Sequence, residues 1–129
     1  MATIQNTIDV AAPIEKVWAK ISDVGKISGL LGMLVESKIT GNKRVCTLGD
    51  GGVLHEDIIT INPDMKRVVY SITESPLNLD FHVAEMALSN IDTGTRLVWT
   101  VDVIPAEAVP HLEPVLSAAS EDLKKSLAT

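Results

Sequence analysis

Between Val35 and Ile104 the chain carries a succession of short β-like runs, each closed by a turn signal, before it changes to a helical period. A two-residue period puts alternate side chains on one face of a strand, and strands joined by short turns pair antiparallel. The runs are Val35–Thr40, Arg44–Leu48, Val53–Ile61, Arg67–Glu74, Leu79–Leu88 and Arg96–Ile104. Gly41-Asn42-Lys43 between the first two is a hairpin signal, and Gly49-Asp50-Gly51-Gly52 turns the chain into the third. Asn62-Pro63-Asp64 is a turn in which Pro fixes φ and Asn or Asp bonds nearby backbone. Ser75-Pro76 and the stretch from Asn90 to Thr95, with Gly94 as its turn residue, close the rest.

The flanks read differently. Thr3–Val10 is a weakly alternating strand. Pro13 opens a helix at its first position, where a missing N–H costs nothing, and Ile14, Val17, Trp18 and Ile21 form its apolar stripe. Ser22-Asp23 is placed to cap a second short helix, limited by Gly25, Gly29 and Gly32. After Pro105, the residues Val109, Leu112, Leu116, Ala119, Leu123 and Leu127 recur every three or four positions, one face of a long helix. Pro110 and Pro114 delay its regular start to near Glu113, because an interior proline kinks a helix at a cost of about 3 kcal/mol. The expected architecture is α+β. A curved seven-stranded antiparallel sheet wraps around the long C-terminal helix, two short helices follow strand 1, and one domain covers residues 1–129. Space left between such a sheet and helix is where a pocket belongs.

Composition narrows the partners. Seventeen acidic against eleven basic residues give a net charge of −6. This repels phosphate backbones and anionic lipid surfaces, so no nucleic acid is expected. No stretch approaches the roughly 20 apolar residues of a membrane span, so no membrane insertion is expected. The single cysteine, Cys46, forms no internal disulfide. The N-terminal residues lack a signal-peptide pattern, so the expected location is cytoplasmic, as a monomer or homodimer. His55, His82 and His111 lack metal-ligand spacing, and neither a nucleophile elbow nor a phosphate loop occurs, so no metal or cofactor is expected.

Several short pieces then point one way. Ala12-Pro13-Ile14-Glu15-Lys16-Val17-Trp18, Gly41-Asn42-Lys43-Arg44, Leu54-His55-Glu56 through Asp64, Arg67 and Tyr70-Ser71-Ile72, Trp99 through Pro105, and Leu123-Lys124 occur in an order and spacing that resembles the SRPBCC (START/Bet v 1-like) superfamily of helix-grip proteins. The likeness is to its bacterial polyketide cyclase/dehydrase-like branch and runs from Ile8 to Leu127. Three aromatics frequent in that family are replaced, by Gly29-Leu30-Leu31-Gly32 after the second helix, by His82 and by Val103. That implies smaller or softer cavity walls.

By the resemblance Glu56 faces a cavity, and alternation brings Leu54 and Ile58 with it. Tyr70 likewise brings Val68 and Ile72, and His82 brings Ala84, Met86 and Leu88. The last strand has two placements. The resemblance turns Trp99 away and puts Thr100, Asp102 and Ile104 inside, with Cys46 and Leu48 beside them and Arg44 at the rim. Plain alternation puts Leu97, Trp99, Val101 and Val103 in the core and leaves Asp102 in solvent. Leu112, Leu116 and Ala119 of the terminal helix complete the expected ligand wall.

Glu56 in an apolar cavity is a carboxylate whose pKa desolvation raises, an acid or a ligand anchor; alternatively it pairs structurally with Arg44 or Arg67. His82 is a base or donor, or a core-edge histidine satisfied by a neighbour. Tyr70 is a wall residue with a polar tip, and Cys46 a small buried hydrophobe. Three functions fit: binding of a small hydrophobic molecule (lipid, isoprenoid or aromatic, polyketide-like metabolite), cyclisation and dehydration with Glu56 and His82 as acid and base, or a protein-interaction module with a closed cavity.

Overall fold

A computed structural model describes residues 1–129. The chain runs β1 (Ala2–Val10), α1 (Ile14–Ile21), a 3₁₀ segment (Val24–Gly29), β2 (Leu34–Thr40), β3 (Lys43–Leu48), β4 (Val53–Asn62), β5 (Arg67–Glu74), β6 (Phe81–Ile91), β7 (Gly94–Ile104), a short 3₁₀ turn (Ala106–Ala108) and α2 (Val109–Leu127). The strands form one antiparallel sheet in the order β1-β7-β6-β5-β4-β3-β2.

One architectural expectation is corrected. The sheet does not curl round the terminal helix. It is open: β1 and β2 stand at opposite edges and do not pair. The reason lies after β1, where two helical segments instead of a turn carry the chain off the sheet and return it at the far edge. α2 packs beside β1, and the 3₁₀ segment packs against β2. Register breaks between Leu34 and Glu36, His55 and Glu56, and Ile58 and Thr60 mark β-bulges.

Local details also differ from the sequence reading. Helix α1 begins at Ile14 with Pro13 as its extended N-cap. The second short helix is 3₁₀, kinked at Lys26, and Asp23 occupies its N-cap position without a side-chain capping bond. Helix α2 starts at Val109, four residues earlier than expected. Pro110 lies in the first turn, where backbone N–H groups lack intrahelical partners anyway, and Pro114 is carried inside the helix.

The core is a single cluster between one sheet face and the helices. Val17, Trp18 and Ile21 of α1 meet Leu97, Val101 and Val103 of β7 and Leu123 and Leu127 of α2 within it. Polar ties fasten the connecting helices to the end of α2. Lys20 Nζ donates to Ser126 O at 2.9 Å and Thr129 O at 2.7 Å. Ser126 Oγ donates to Leu30 O at 3.1 Å, and Gly32 N–H to Asp122 Oδ2 at 3.1 Å.

The β6–β7 turn abuts the start of α1. Thr95 Oγ1, fully buried, donates to Ala12 O at 2.8 Å. Gly94 has φ +145°, and a Cβ there would stand 2.2 Å from Val10 O. The neighbour is backbone and cannot swing aside, so both the conformation and the space demand glycine. Gly94→Ala is expected to lower the unfolding free energy by at least about 2 kcal/mol, read from the midpoint of a urea melt.

Candidate functional site

Alternation places Arg44, Cys46 and Leu48 of β3 on the inner face, opposite Leu54 and Glu56 of β4. Tyr70 and Ile72 of β5, His82 of β6 and Trp99 and Val101 of β7 extend the same face. Ile27, Leu31, Met33 and Leu34 cover it from the 3₁₀ segment and the loop that follows. Leu112, Val115 and Leu116 cover it from the first half of α2. Between them is a cavity of about 380 Å³, with Asp50, Leu77 and exposed His111 also on its lining. Fifteen of its 21 lining residues are hydrophobic, so few polar groups can orient anything inside.

Arg44, Glu56, Cys46 and Tyr70 gather at one ion pair. Arg44 Nε donates to Glu56 Oε1 at 2.6 Å, with both side chains buried. Arg44 Nη1 donates to Val24 O at 3.0 Å, which ties the 3₁₀ segment to the sheet. The guanidinium lies 4.9 Å from the centre of the Tyr70 ring, a cation–π contact. Cys46 Sγ donates to Glu56 Oε1 at 3.3 Å, and burial first, then the Glu56 charge, pushes its thiol up to about 12. Trp99 Nε1 donates to Tyr70 Oη at 3.1 Å. Burial, reinforced by the Glu56 charge, raises the Tyr70 phenol above its usual range, so the phenol keeps its proton.

His82 packs beside this group, its ring centre 5.9 Å from that of Tyr70. Ile72 N–H donates to His82 Nδ1 at 2.9 Å. An accepting Nδ1 assigns the proton of the neutral ring to Nε2. Burial lowers the His82 pKa to about 4, so the ring is neutral at pH 7. Ser71 Oγ donates to the His82 carbonyl and fixes the backbone there. Three polar positions are left over. Neither His82 Nε2, Glu56 Oε2 nor Arg44 Nη2 has a protein partner, and none is sealed from solvent-sized space.

Of the residues singled out from the sequence, the structure brings Arg44, Cys46, Glu56, Tyr70, Ile72, His82, Leu112 and Leu116 to the cavity wall. Ile58, Ala84, Met86 and Ala119 are buried in the core but do not line it. Asp102 lies on the outer face, where it accepts a bond from the Thr3 hydroxyl across the β1–β7 pair. Leu97, Trp99, Val101 and Val103 point inward, as plain alternation has it. Arg44 is not at the rim but 4% exposed, because Glu56 draws it inward. Arg67 pairs instead with Glu85, at 2.6 Å. Sequence reasoning missed the wall from Ile27 to Leu34, whose only signal was an apolar loop between glycines. No three His, Cys, Asp or Glu side chains gather as a metal site, and no helix is long and apolar enough to cross a membrane.

Two outcomes follow from these groups. Removing one partner of the buried pair strands the other, so Glu56→Ala is expected to cost about 3–5 kcal/mol, while an apolar replacement of both residues comes close to neutral. The unfolded His82 binds a proton near pH 6.5 and the folded one only near 4, so acid favours unfolding. The stability present above pH 6.5 falls by about 3 kcal/mol as the pH drops toward 4. His82→Gln flattens that fall, measured as urea midpoints across the same pH range.

Comparisons with known proteins agree with this architecture. The family model described as polyketide cyclase / dehydrase and lipid transport matches residues 1–129. Among solved structures, XoxI from Bacillus cereus superposes with a TM-score of 0.90 at 19% identity, covering 98% of this chain and 96% of its own. The Zhui aromatase/cyclase from Streptomyces sp. R1128 gives 0.78 at 20% identity, with 98% and 91% covered. A START superfamily protein from Mycobacterium smegmatis gives 0.76 at 15% identity, with 98% and 94% covered. A search of the curated proteins gives no match. At these identities the structures speak for the fold alone. The full-length family match carries the assignment: the chain belongs to the polyketide cyclase/dehydrase and lipid-transport family of the SRPBCC (START/Bet v 1-like) superfamily.

Proposed function

We propose that the chain binds a small, mostly apolar molecule in the cavity between the sheet and the first half of α2. One observation carries this reading: an apolar cavity of about 380 Å³ whose few polar groups sit together around Arg44, Glu56, Tyr70 and His82. Burial of apolar ligand surface supplies affinity, about 25 cal/mol per Å², and the polar cluster sets orientation. In this reading Arg44, Cys46, Glu56, Tyr70, Ile72, His82, Leu112 and Leu116 touch the ligand. Ile58, Ala84, Met86 and Ala119 support the wall from behind. The unfilled cavity speaks against an interaction module with a closed interior.

A second reading, a cyclase or dehydratase, draws on the free Oε2 of Glu56 in the same cavity as a neutral histidine donor. Glu56 would take the proton alpha to a carbonyl while His82 Nε2–H holds the carbonyl oxygen. His82 is a poor base here, since its Nδ1 is engaged and its Nε2 already protonated.

Native mass spectrometry of the freshly purified protein, followed by mass analysis of anything released, tests the binding reading and reads the oligomeric state, expected as monomer or homodimer. A stoichiometric apolar passenger is the expected result. Added at 100 times its Kd, such a ligand stabilises the fold by about 2.7 kcal/mol. Leu116→Trp fills the cavity and is expected to abolish that stabilisation while the protein stays folded. Undiminished stabilisation of the variant would place the ligand elsewhere.

A further inference from the structure

The charges around the cavity restrict what it can hold. Seven lining groups titrate or carry charge: Arg44, Glu56, Cys46, Tyr70, His82, Asp50 and His111. Cys46 and Tyr70 keep their protons at neutral pH, and His82 is uncharged. The one permanent cation is Arg44, and it already has Glu56 at 2.6 Å. Asp50 adds a second carboxylate, and His111 is exposed. No unpaired cation therefore waits inside for an anionic ligand. A carboxylate entering the cavity would have to share the one buried cation with Glu56, so that two buried anions are set against a single positive charge.

Neutral oxygen groups meet the opposite situation. His82 Nε2–H is a donor with no acceptor. Tyr70 Oη receives a bond from Trp99 and donates to no side chain. Glu56 Oε2 is an acceptor with no donor, and Nη2 of Arg44 is a donor with no acceptor. A carbonyl oxygen satisfies the free donors, and a hydroxyl satisfies a donor and an acceptor together. Neither disturbs the ion pair.

We infer that the cavity selects uncharged apolar molecules bearing a hydroxyl or carbonyl oxygen and rejects the matching carboxylates. This rests on the binding function proposed above and adds to it the charge state and polar group of the ligand class.

The test uses matched probes at pH 7 on the intact protein: 1-decanol against decanoate, and 2-naphthol against 2-naphthoate. Quenching of tryptophan fluorescence gives Kd, since Trp99 lines the cavity, and melting temperature gives an independent reading. Within at least one pair the neutral probe is expected to bind at least tenfold tighter than its carboxylate. Equal affinities within both pairs, or tighter carboxylates, would overturn the selectivity while leaving the binding function standing. No binding by any of the four would overturn both. The Glu56→Gln variant releases Arg44 from its partner and is expected to reverse the preference toward the carboxylate. Unchanged preference in that variant would show that the pair is not the selector. Where the variant fails to fold, the wild-type comparison decides.

Discussion

The buried pair of Arg44 and Glu56 is the contact around which the molecule is arranged. It links two neighbouring strands, β3 and β4, on their inner face. Through the Val24 carbonyl it also holds the 3₁₀ segment down over that face. The guanidinium then lies over Tyr70, whose hydroxyl receives Trp99, so β5 and β7 join the same assembly. Two charges withdrawn from water are costly unless paired, and these are held by each other and by three further contacts, with Glu56 Oε2 and Arg44 Nη2 left free toward the cavity. One pair thereby fixes a helical segment and the polar end of the cavity together.

The sequence made much of this legible, for reasons that differ by element. The bounds of β1 to β5 were legible to within a residue because turns such as Asn62-Pro63-Asp64 have a local physical mechanism, whereas β6 starts at Phe81 and the β6–β7 ladder runs on to Ile91 and Gly94, through the expected turn from Asn90 to Thr95. The face of β7 was legible from alternation too, and the resemblance misled where it turned Trp99 outward. Glu56 facing inward was legible, and so was Arg44 as one of its two possible partners. The depth of Arg44 was not, because a lone arginine in a strand is ordinarily at a surface, and only its partner's position decides otherwise. The open sheet was hidden because edge placement of β1 and β2 depends on where the intervening helices return the chain. The early start of α2 was missed because Pro110 and Pro114 were weighed as breakers, although one of them falls in the first turn.

Family membership and cavity chemistry constrain different things. The fold supplies a sheet, a helical cover and a space between them, and relatives of this kind host unrelated activities. What is particular to this chain is the polar end of that space: a self-neutralised ion pair, a phenol that keeps its proton and an uncharged histidine. The histidine's Nδ1 is occupied by the Ile72 backbone, which leaves Nε2–H as the one donor the ring can offer the cavity.

The fastening of α2 is lopsided. Every side-chain hydrogen bond to this helix falls between Asp122 and its C-terminal end, made by Lys20, Gly32 and the Leu30 carbonyl. The first half, which carries Leu112, Val115 and Leu116 over the cavity, is held by apolar contact alone and is threaded by Pro110 and Pro114. Apolar contacts are non-directional and tolerate sliding, whereas the bonds at the far end do not. The part of the helix that roofs the cavity therefore depends on packing, while the part that lies beyond the cavity is fixed in position by directional bonds.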